Sequence, residues 1–263
     1  MLSATTTSIA DHRKPGESHA TTSSANIATG VVAIHQPNFL PNIAFFRKIV
    51  CSSQFIILDD VQYRRRGYIN RNRILTPQGV QWVTVPVLTK GKYDALICDI
   101  QPQWDDSWHR AHLRTFQHCY RRAPFYQEVV ETVLAPAYDT AREARASLAT
   151  MNTALIKRIG SYLGIDTTMH LSSTFAVTSR STARLVDLVR SVGGAVYLSG
   201  STGRKYMKPE LFEQAGIRVR FNDAPIVRYA QFGRDFVGGL SIVDALFHCG
   251  HDARKLLLGD GTA

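Results

Sequence analysis

Two short apolar runs, separated by a segment of helix length, constrain the fold of this chain most. The runs occupy residues 31–34 and 55–58 and contain continuous apolar, largely β-branched side chains, which is typical of strands buried on both faces. Between them, apolar side chains recur at about the helical spacing over 43–50. A short connection through a helix makes two strands parallel and brings their carboxyl ends to one edge of a sheet. The segment therefore predicts an α/β fold.

Polar and chemically reactive side chains follow each run directly. His35 and Gln36 come after the first run, and Asp59 and Asp60 come after the second. Open α/β sheets bind ligands just beyond the carboxyl ends of their strands, so we expect these side chains to converge. A carboxylate that fixes the tautomer of an imidazole supports it as a general base. We therefore predict His35, Asp59 and Asp60 as the catalytic residues.

A third apolar run, at 195–198, leads into a loop of small polar residues and glycine. Ser199 and Gly200 begin this loop, and two cations end it. Backbone N–H groups of such a loop can hold an anion. The loop has neither the Walker A spacing nor the GxGxxG fingerprint of dinucleotide-binding proteins. We expect this strand to lie parallel and close to the first two, with Ser199 in the same cleft as His35 and Asp60.

Length and composition fit a single globular domain. The chain has 263 residues, of which 44% are hydrophobic, and this is enough for a sizeable core. Its four cysteines form no CxxC pair, so we expect neither a zinc site nor a disulfide framework, and no other bound metal or cofactor. No apolar run approaches the roughly 18 to 20 residues of a membrane span. We expect a soluble, cytoplasmic protein.

The net charge of +10 raises the question of a nucleic-acid partner. Most arginines are spread along apparent amphipathic helices, however, and only 64–66 with Arg71 and Arg73 form a dense group. A small anionic group, such as a phosphate or the phosphopantetheine arm of an acidic carrier protein, explains this group at least as well. We do not expect nucleic acid as the main partner. We expect Arg71 and Asn72 to face the cleft and 64–66 to face solvent.

The remaining patterns divide the chain into three parts. Residues 1–29 lack apolar periodicity and should form a disordered N-terminal tail. Residues 30–250 are predicted to form one mixed, mainly parallel, Rossmann-like sheet with flanking helices and a helical insertion at about 104–165, followed by a C-terminal tail at 251–263. Within this domain, we predict a strand at 95–100, a single helix over 141–164, and capping roles for Ser241 and Asp244.

A series of ordered motifs spans about 31–250. In chain order these are HQPNFLPNIAFFRKI, FIILDDVQY, GYINRNRI, QWVTVPV, YRRAPFY, YLSGSTGRKYM, YAQ and LSIVDALFHCG. The series resembles the WbqC-like protein family. It departs from the family at Ser201-Thr202, where a second glycine is common, and at His248-Cys249, where asparagine is usual before the glycine. The predicted substrate-binding residues are Gln36, Gln62, Arg71, Asn72, His112, Ser199, Gly200, Tyr206 and Gln231.

The resemblance implies an enzyme of bacterial surface-polysaccharide or specialised-metabolite biosynthesis. The implied reaction transfers an aminoacyl group, such as glycyl, from a carrier-protein thioester to a small amine or amino sugar. This chemistry needs a general base and donors for an oxyanion, for which His35 and the amides near Gly200 are candidates. Two alternatives stay open. One is a nucleotide-dependent ligase or nucleotidyltransferase, in which Asp59 and Asp60 would hold Mg²⁺. The other is a non-catalytic module that binds a carrier protein or a sugar.

Overall fold

The structure, a computed structural model, describes Met1 and residues 30–223, 227–233 and 235–259. Apart from Met1, the predicted disordered tail at 1–29 lies outside the described residues. The strands are β1 (Val31–His35), β2 (Gln54–Ile57), β3 (Arg71–Thr76), β4 (Gly79–Thr84), β5 (Val87–Leu88), β6 (Gln101–Pro102), β7 (Thr168–Leu171), β8 (Val196–Gly200) and β9 (Arg218–Asn222). The α-helices are α1 (Ile43–Val50), α2 (Trp108–Tyr120), α3 (Tyr126–Val129), α4 (Ala135–Glu143), α5 (Leu148–Tyr162), α6 (Ser181–Ser191), α7 (Pro209–Gln214), α8 (Ile242–Cys249) and α9 (Ala253–Leu258). Among the described residues, no helix has both the length and the apolar character needed to cross a membrane.

The main sheet has five parallel strands in the order β7-β2-β1-β8-β9. The predicted α/β fold and the three predicted strands are confirmed, with β1 at the centre between β2 and β8. The chain builds outward from β1 through β2 to β7 and then returns to β8 on the other side of β1. The direction of sheet building therefore reverses between β1 and β8. In open α/β sheets, ligands bind outside the carboxyl ends of the strands at such a switch point.

Both faces of the main sheet are covered, which explains why β1 is apolar throughout. Val31 and Ala33 belong to the larger hydrophobic cluster, which includes buried residues of α1, α5 and α8. Val32 and Ile34 belong to a second cluster, with buried residues of α6 and α7. Because side chains alternate along a strand, the His35 side chain lies on the same face as Ala33, towards α1.

The connection from β2 to β7 contains most of the secondary structure outside the sheet. It includes the antiparallel hairpin β3–β4, the short antiparallel pair β5–β6 and the helices α2 to α5. These helices form the predicted insertion. A segment of π-helix, Val130–Leu134, links α3 to α4 without a break, and Pro136, which has no backbone N–H to donate, is the second residue of α4.

Two local predictions within the connection are wrong. The predicted strand at 95–100 is a 3-10 turn, Ile97–Asp99, followed by the short β6. The predicted single helix over 141–164 is two helices, because the chain leaves α4 with Arg145 at a φ of 44° and restarts at Ser147. The Ser147 side chain caps α5 by accepting a hydrogen bond from the amide of Thr150.

The C-terminal segment also differs from its prediction. Residues 251–263 are not simply a tail, because they contain α9, which packs against α1. Ala253, Leu256 and Leu257 of this helix are buried in the larger hydrophobic cluster. Residues 260–263 lie outside the described part of the chain.

Candidate functional site

His35 lies at the carboxyl end of the central strand, beside the switch point. Its ring is half-buried and contacts the ring of Phe45 at a centroid distance of 4.9 Å. Its Nδ1 atom lies 2.9 Å from the carbonyl oxygen of Gln36. A carbonyl oxygen only accepts hydrogen bonds, so Nδ1 carries the proton and Nε2 is the free base nitrogen. Burial, followed by the charge of Lys48, lowers the pKa of His35 to about 3, so the ring is neutral at physiological pH.

Lys48 is a buried lysine whose amino group lies directly beneath this strand end. It lies on α1, is 4% exposed, and donates a hydrogen bond of 2.8 Å from Nζ to the carbonyl oxygen of Ile34. Burial lowers its pKa to about 7. The apolar spacing over 43–50 predicts a helix that includes Lys48, but it does not indicate that this side chain is buried. The surroundings at the carboxyl end of β1 therefore lower the pKa of both His35 and Lys48 and disfavour their positively charged forms.

The loop after β8 forms the other side of the switch point. Ser199 is buried and donates a 3.1 Å hydrogen bond to the carbonyl oxygen of Gly200. A Cβ atom on Gly203 would overlap the Ser199 hydroxyl, so the following turn packs directly onto Ser199. By alternation from Tyr197, the Ser199 side chain lies on the sheet face opposite to His35. A Cβ atom on Gly200 would meet nothing within 4 Å, so Gly200 faces open space.

Asp59 and Asp60 do not orient His35, which corrects the predicted triad. The Asp59 carboxylate accepts hydrogen bonds from Ser172 Oγ at 3.0 Å and from the amide and hydroxyl of Ser173 at 3.0 and 2.7 Å. Asp60 forms an ion pair with Arg184 at 2.5 Å and accepts a hydrogen bond from Ser172. The two carboxylates therefore join the end of β2 to the end of β7 and to α6.

The predicted ligands of the arginine-rich segment also have other contacts. Arg71 does not point into the cleft, because its guanidinium lies 4.2 Å from the ring centre of Trp82 and donates to the carbonyl oxygen of Arg66 at 2.6 Å. Asn72 is buried and donates to the carbonyl oxygens of Phe39 and Leu40, which fixes the loop after His35. Gln62 is exposed and bonds Tyr93 and Asp94.

Two further predicted ligands, His112 and Gln231, are held inside the fold, and Tyr206 lies at its surface. His112 donates from Nε2 to the carbonyl oxygen of Thr84 at 3.0 Å and accepts from the Tyr138 hydroxyl at 3.3 Å. Burial lowers the pKa of His112 to about 4. Tyr206 is 65% exposed. Of the predicted residues, His35, Gln36 and Gly200 are those that flank the switch point.

Asp244 is the centre of a buried polar cluster that the sequence analysis missed. Its carboxylate is fully buried and accepts hydrogen bonds from the hydroxyls of Tyr120 and Tyr229, each at 2.7 Å, and from Gln231 Nε2 at 2.9 Å. Burial and this carboxylate raise the pKa of both tyrosines, which stay protonated as donors. Ser241 caps α8 as predicted, whereas Asp244 is not a capping residue.

His248 extends this cluster to a cavity of about 630 Å³. Its Nδ1 donates to the Asp244 carbonyl oxygen at 2.8 Å, and its Nε2 is buried with no hydrogen-bond partner among the described residues. The cavity is also lined by Tyr120, Arg121 and Phe232. Tyr120 and Asp244 are 124 residues apart, so no local spacing indicates their contact. The available signal was that the cluster draws on three of the recognised motifs, YRRAPFY, YAQ and LSIVDALFHCG.

Within the described ranges, no group of three or more His, Cys, Asp or Glu side chains is arranged to hold a metal ion. Asp59 and Asp60, the pair considered for Mg²⁺, already accept hydrogen bonds from Ser172, Ser173 and Arg184. The four cysteines are not paired in disulfides.

Comparison with known proteins agrees with the resemblance seen in the sequence. The model of the WbqC-like protein family matches residues 36–256, which is well over half of the chain. The uncharacterized protein Rv1507c of Mycobacterium tuberculosis is 37% identical over 227 residues, which cover 86% of this chain and 96% of that protein. No solved structure matches the chain. The matched region begins directly after His35 and contains the loop after β8, Asn72 and the Asp244 cluster, and the chain belongs to the WbqC-like protein family.

Proposed function

We propose that the protein is an acyltransferase that moves an aminoacyl group, such as glycyl, from a carrier-protein thioester to an amine, with His35 as the general base. The observation that carries this proposal is the position of His35 at the switch point, where Nδ1 donates to the Gln36 carbonyl oxygen and leaves Nε2 as the base nitrogen. The acceptor is a small amine or amino sugar, in biosynthesis of a surface polysaccharide or a specialised metabolite. We place the reaction in the cytoplasm, where the unpaired cysteines stay reduced.

The environment of His35 suits an amine nucleophile. An amine attacks a carbonyl only in its neutral form, and most alkylamines are protonated near pH 7. The surroundings that lower the pKa of Lys48 to about 7 would act in the same direction on a substrate ammonium group bound beside it. The amine would therefore enter the reaction unprotonated.

In the proposed reaction, the amine nitrogen attacks the thioester carbonyl carbon and forms a C–N bond. His35 Nε2 accepts the proton that this nitrogen loses. The backbone N–H groups near Gly200 are the proposed donors to the oxyanion. The C–S bond then breaks, and the thiolate takes the proton from His35.

The test is transfer from a loaded carrier protein, measured by mass spectrometry of the carrier and of an amino-sugar acceptor. We expect His35→Ala to lower turnover by about 10² to 10⁴. We expect His35→Asn to be nearly as damaging, because an amide keeps a polar contact but cannot accept the proton. The matched control is His251→Ala, since this histidine is exposed and lies after α8.

Retention of the wild-type rate by His35→Asn would contradict the proposal, because the ring would then only position a ligand. Circular dichroism of both His35 variants separates loss of chemistry from loss of folding. We expect both variants to fold, because the ring is half-buried at a strand end and contributes little to the core.

A nucleotide-dependent ligase is the second candidate, and the strand order favours it. Counted along the chain within the sheet, the order is 3-2-1-4-5, as in dinucleotide-binding sheets. A rise in melting temperature with ATP, together with release of pyrophosphate, would support this candidate over direct acyl transfer.

A further inference from the structure

Positive charge is concentrated in one segment of this protein. Residues 64–94 contain seven Lys or Arg residues and one acidic residue, Asp94, so the segment carries +6 of the net +10. The exposed cations are Arg64, Arg65, Arg66, Lys90 and Lys92. The exposure predicted for 64–66 is thus confirmed. More than half of the net charge therefore comes from this one segment of the sequence.

The same segment exposes large apolar side chains. Of the nine such side chains exposed in the described chain, five lie in this segment and a sixth, Leu96, lies two residues after it. They are Tyr68, Val80, Trp82, Leu88, Tyr93 and Leu96. Single exposed apolar residues are ordinary, but an exposed apolar group surrounded by polar residues marks an interaction site.

Direct contacts join several of these positions to one another and to the exposed cations. Tyr68 lies 5.6 Å from Trp82 between ring centres, and Arg71 covers Trp82. Arg65 donates to the carbonyl oxygen of Thr89 at 3.1 Å, which joins the loop before β3 to the loop after β5. An open groove of about 530 Å³ lies there, lined by Arg65, Leu88, Lys90, Lys92 and Tyr93 among others. We name this region, 64–94, the hairpin surface.

The hairpin surface is joined directly to the loop that follows His35. The amide of Phe39 donates to the carbonyl oxygen of Tyr68 at 2.9 Å. Buried Asn152 donates to the carbonyl oxygens of both Pro37 and Ile69 at 2.7 Å. The base of the hairpin surface is therefore fixed to the loop that leaves the strand end carrying His35.

We propose that the hairpin surface is the docking site for an acidic carrier protein. This inference rests on the proposed acyl transfer and adds the surface that recognises its donor. Acidic side chains of the carrier would meet the exposed cations, and its apolar side chains would meet Tyr93 and Leu88. A nucleic-acid strand also binds arginines and aromatic faces. Here, however, the Trp82 face is covered by Arg71, which favours a protein partner.

The experiment compares two double variants that change the net charge equally. Arg64→Glu with Lys90→Glu alters the hairpin surface at two exposed side chains that make no hydrogen bond to the described residues. Arg190→Glu with Arg218→Glu is the matched control, because these exposed arginines lie at the end of α6 and the start of β9, near the amino ends of the strands rather than the carboxyl ends.

Two measurements are made with glycine-loaded carrier protein at about 50 mM and about 500 mM NaCl. The first is binding, followed by protection of the exposed Trp82 from acrylamide quenching, since Trp104 and Trp108 are buried. The second is KM for transfer from the carrier and from glycyl-S-pantetheine. At low salt, we expect the hairpin variant to bind at least roughly tenfold more weakly than the wild type and to raise KM for the carrier alone. The control should match the wild type.

The outcomes separate this inference from the proposed function. Equal carrier binding by the two double variants, or tighter binding of single-stranded oligonucleotide than of carrier on this surface, would overturn the docking site. If the wild type transfers glycine from both donors and the hairpin variant does so with the same KM for each, the acyltransferase proposal stands and the docking site is overturned. If the wild type binds the carrier, the hairpin variant does not, and the wild type transfers no glycine, the docking site is supported and the proposed reaction is contradicted.

Discussion

Asp244 carries a fully buried carboxylate whose side-chain partners come from two other segments of the chain. A buried charge is tolerated only when hydrogen bonds replace its lost hydration. Tyr120 comes from α2, and Tyr229 from the segment before α8. Tyr120 has a second role, because its hydroxyl oxygen also accepts the amide hydrogen of Leu75 at 2.9 Å. Removing either hydroxyl should therefore destabilise the fold, but to different extents.

We predict that Tyr229→Phe lowers the free energy of unfolding by about 1.5 to 3 kcal/mol, the usual range for a hydrogen bond to a charged group. Tyr120→Phe should lower it further, because the Leu75 amide also loses its acceptor. Urea unfolding measures both changes. The control is Tyr138→Phe, which removes a donor only to neutral His112 and should cost about 0.5 to 1.5 kcal/mol. Equal losses in all three variants would contradict the role of the buried charge.

Strand ends could be predicted from the sequence, whereas side-chain partners could not. His35 and Gly200 are the last residues of two recognisable buried strands, and both flank the switch point. Asp59 and Asp60 were predicted at the right strand end but with the wrong partner. Their actual partners lie more than 110 residues later, at Ser172 and Arg184, and nothing local to the aspartates indicates them.

At the level of elements, apolar spacing decided which predictions succeeded. The runs of β1, β2 and β8 are buried on both faces and could be recognised by continuity alone. The segment at 95–100 is also apolar, but its buried residues, Ile97 and Ile100, are three positions apart. That spacing fits a 3-10 turn better than alternation. Its amides bond the carbonyl oxygens of Val61 and Asp59, so the segment packs on the loop after β2 rather than joining the sheet.

The loop after β8 yields a prediction about the crevice at the switch point. Gly200 has an extended backbone, with φ −69° and ψ 156°, which any residue adopts, and a Cβ atom there would meet open space. We therefore expect Gly200→Ala to leave the melting temperature nearly unchanged. We expect it to raise KM or lower turnover in the transfer assay, because the methyl group would project into the space for substrate.

Gly203→Ala is the contrasting variant. Its Cβ atom would overlap the buried Ser199 hydroxyl, so this change should lower the melting temperature by displacing the turn. If Gly200→Ala had wild-type kinetics for every donor and acceptor tested, the crevice between β1 and β8 would not be the substrate site.

At the scale of the whole molecule, chemistry and charge are segregated. The carboxyl end of β1 disfavours positive charge on His35 and Lys48, whereas the exposed cations of residues 64–94 lie on the hairpin surface. The sheet and its helices could be anticipated from apolar patterns. The arrangement of the insertion could not, because it depends on long-range contacts such as Asn152 to Pro37 and Ile69.

Two histidines with lowered pKa values, His112 and His35, make the free energy of unfolding depend on pH. The pKa of His112 is lowered from its ordinary 6.5 to about 4, chiefly because the ring is buried between Tyr138 and Thr84. Between these two values, the unfolded chain binds a proton that the folded chain does not. The contribution of His112 to the free energy of unfolding is therefore fully present above pH 6.5 and decreases as the pH falls towards 4. His35, whose pKa is lowered to about 3, acts in the same direction.

We predict that His112 alone reduces the free energy of unfolding by about 3 kcal/mol over this range, since each pKa unit corresponds to about 1.4 kcal/mol. The measurement is urea unfolding of the wild type and of His112→Gln at intervals from pH 7 down to pH 4. Glutamine can still donate to the Thr84 carbonyl oxygen but does not titrate, so the variant should lose stability less steeply as the solution is acidified. Titration of His35 and of the carboxylates is common to both proteins and cancels in the comparison. Parallel pH profiles for the two proteins would show that His112 is protonated as readily in the folded chain as in the unfolded one, contrary to the prediction.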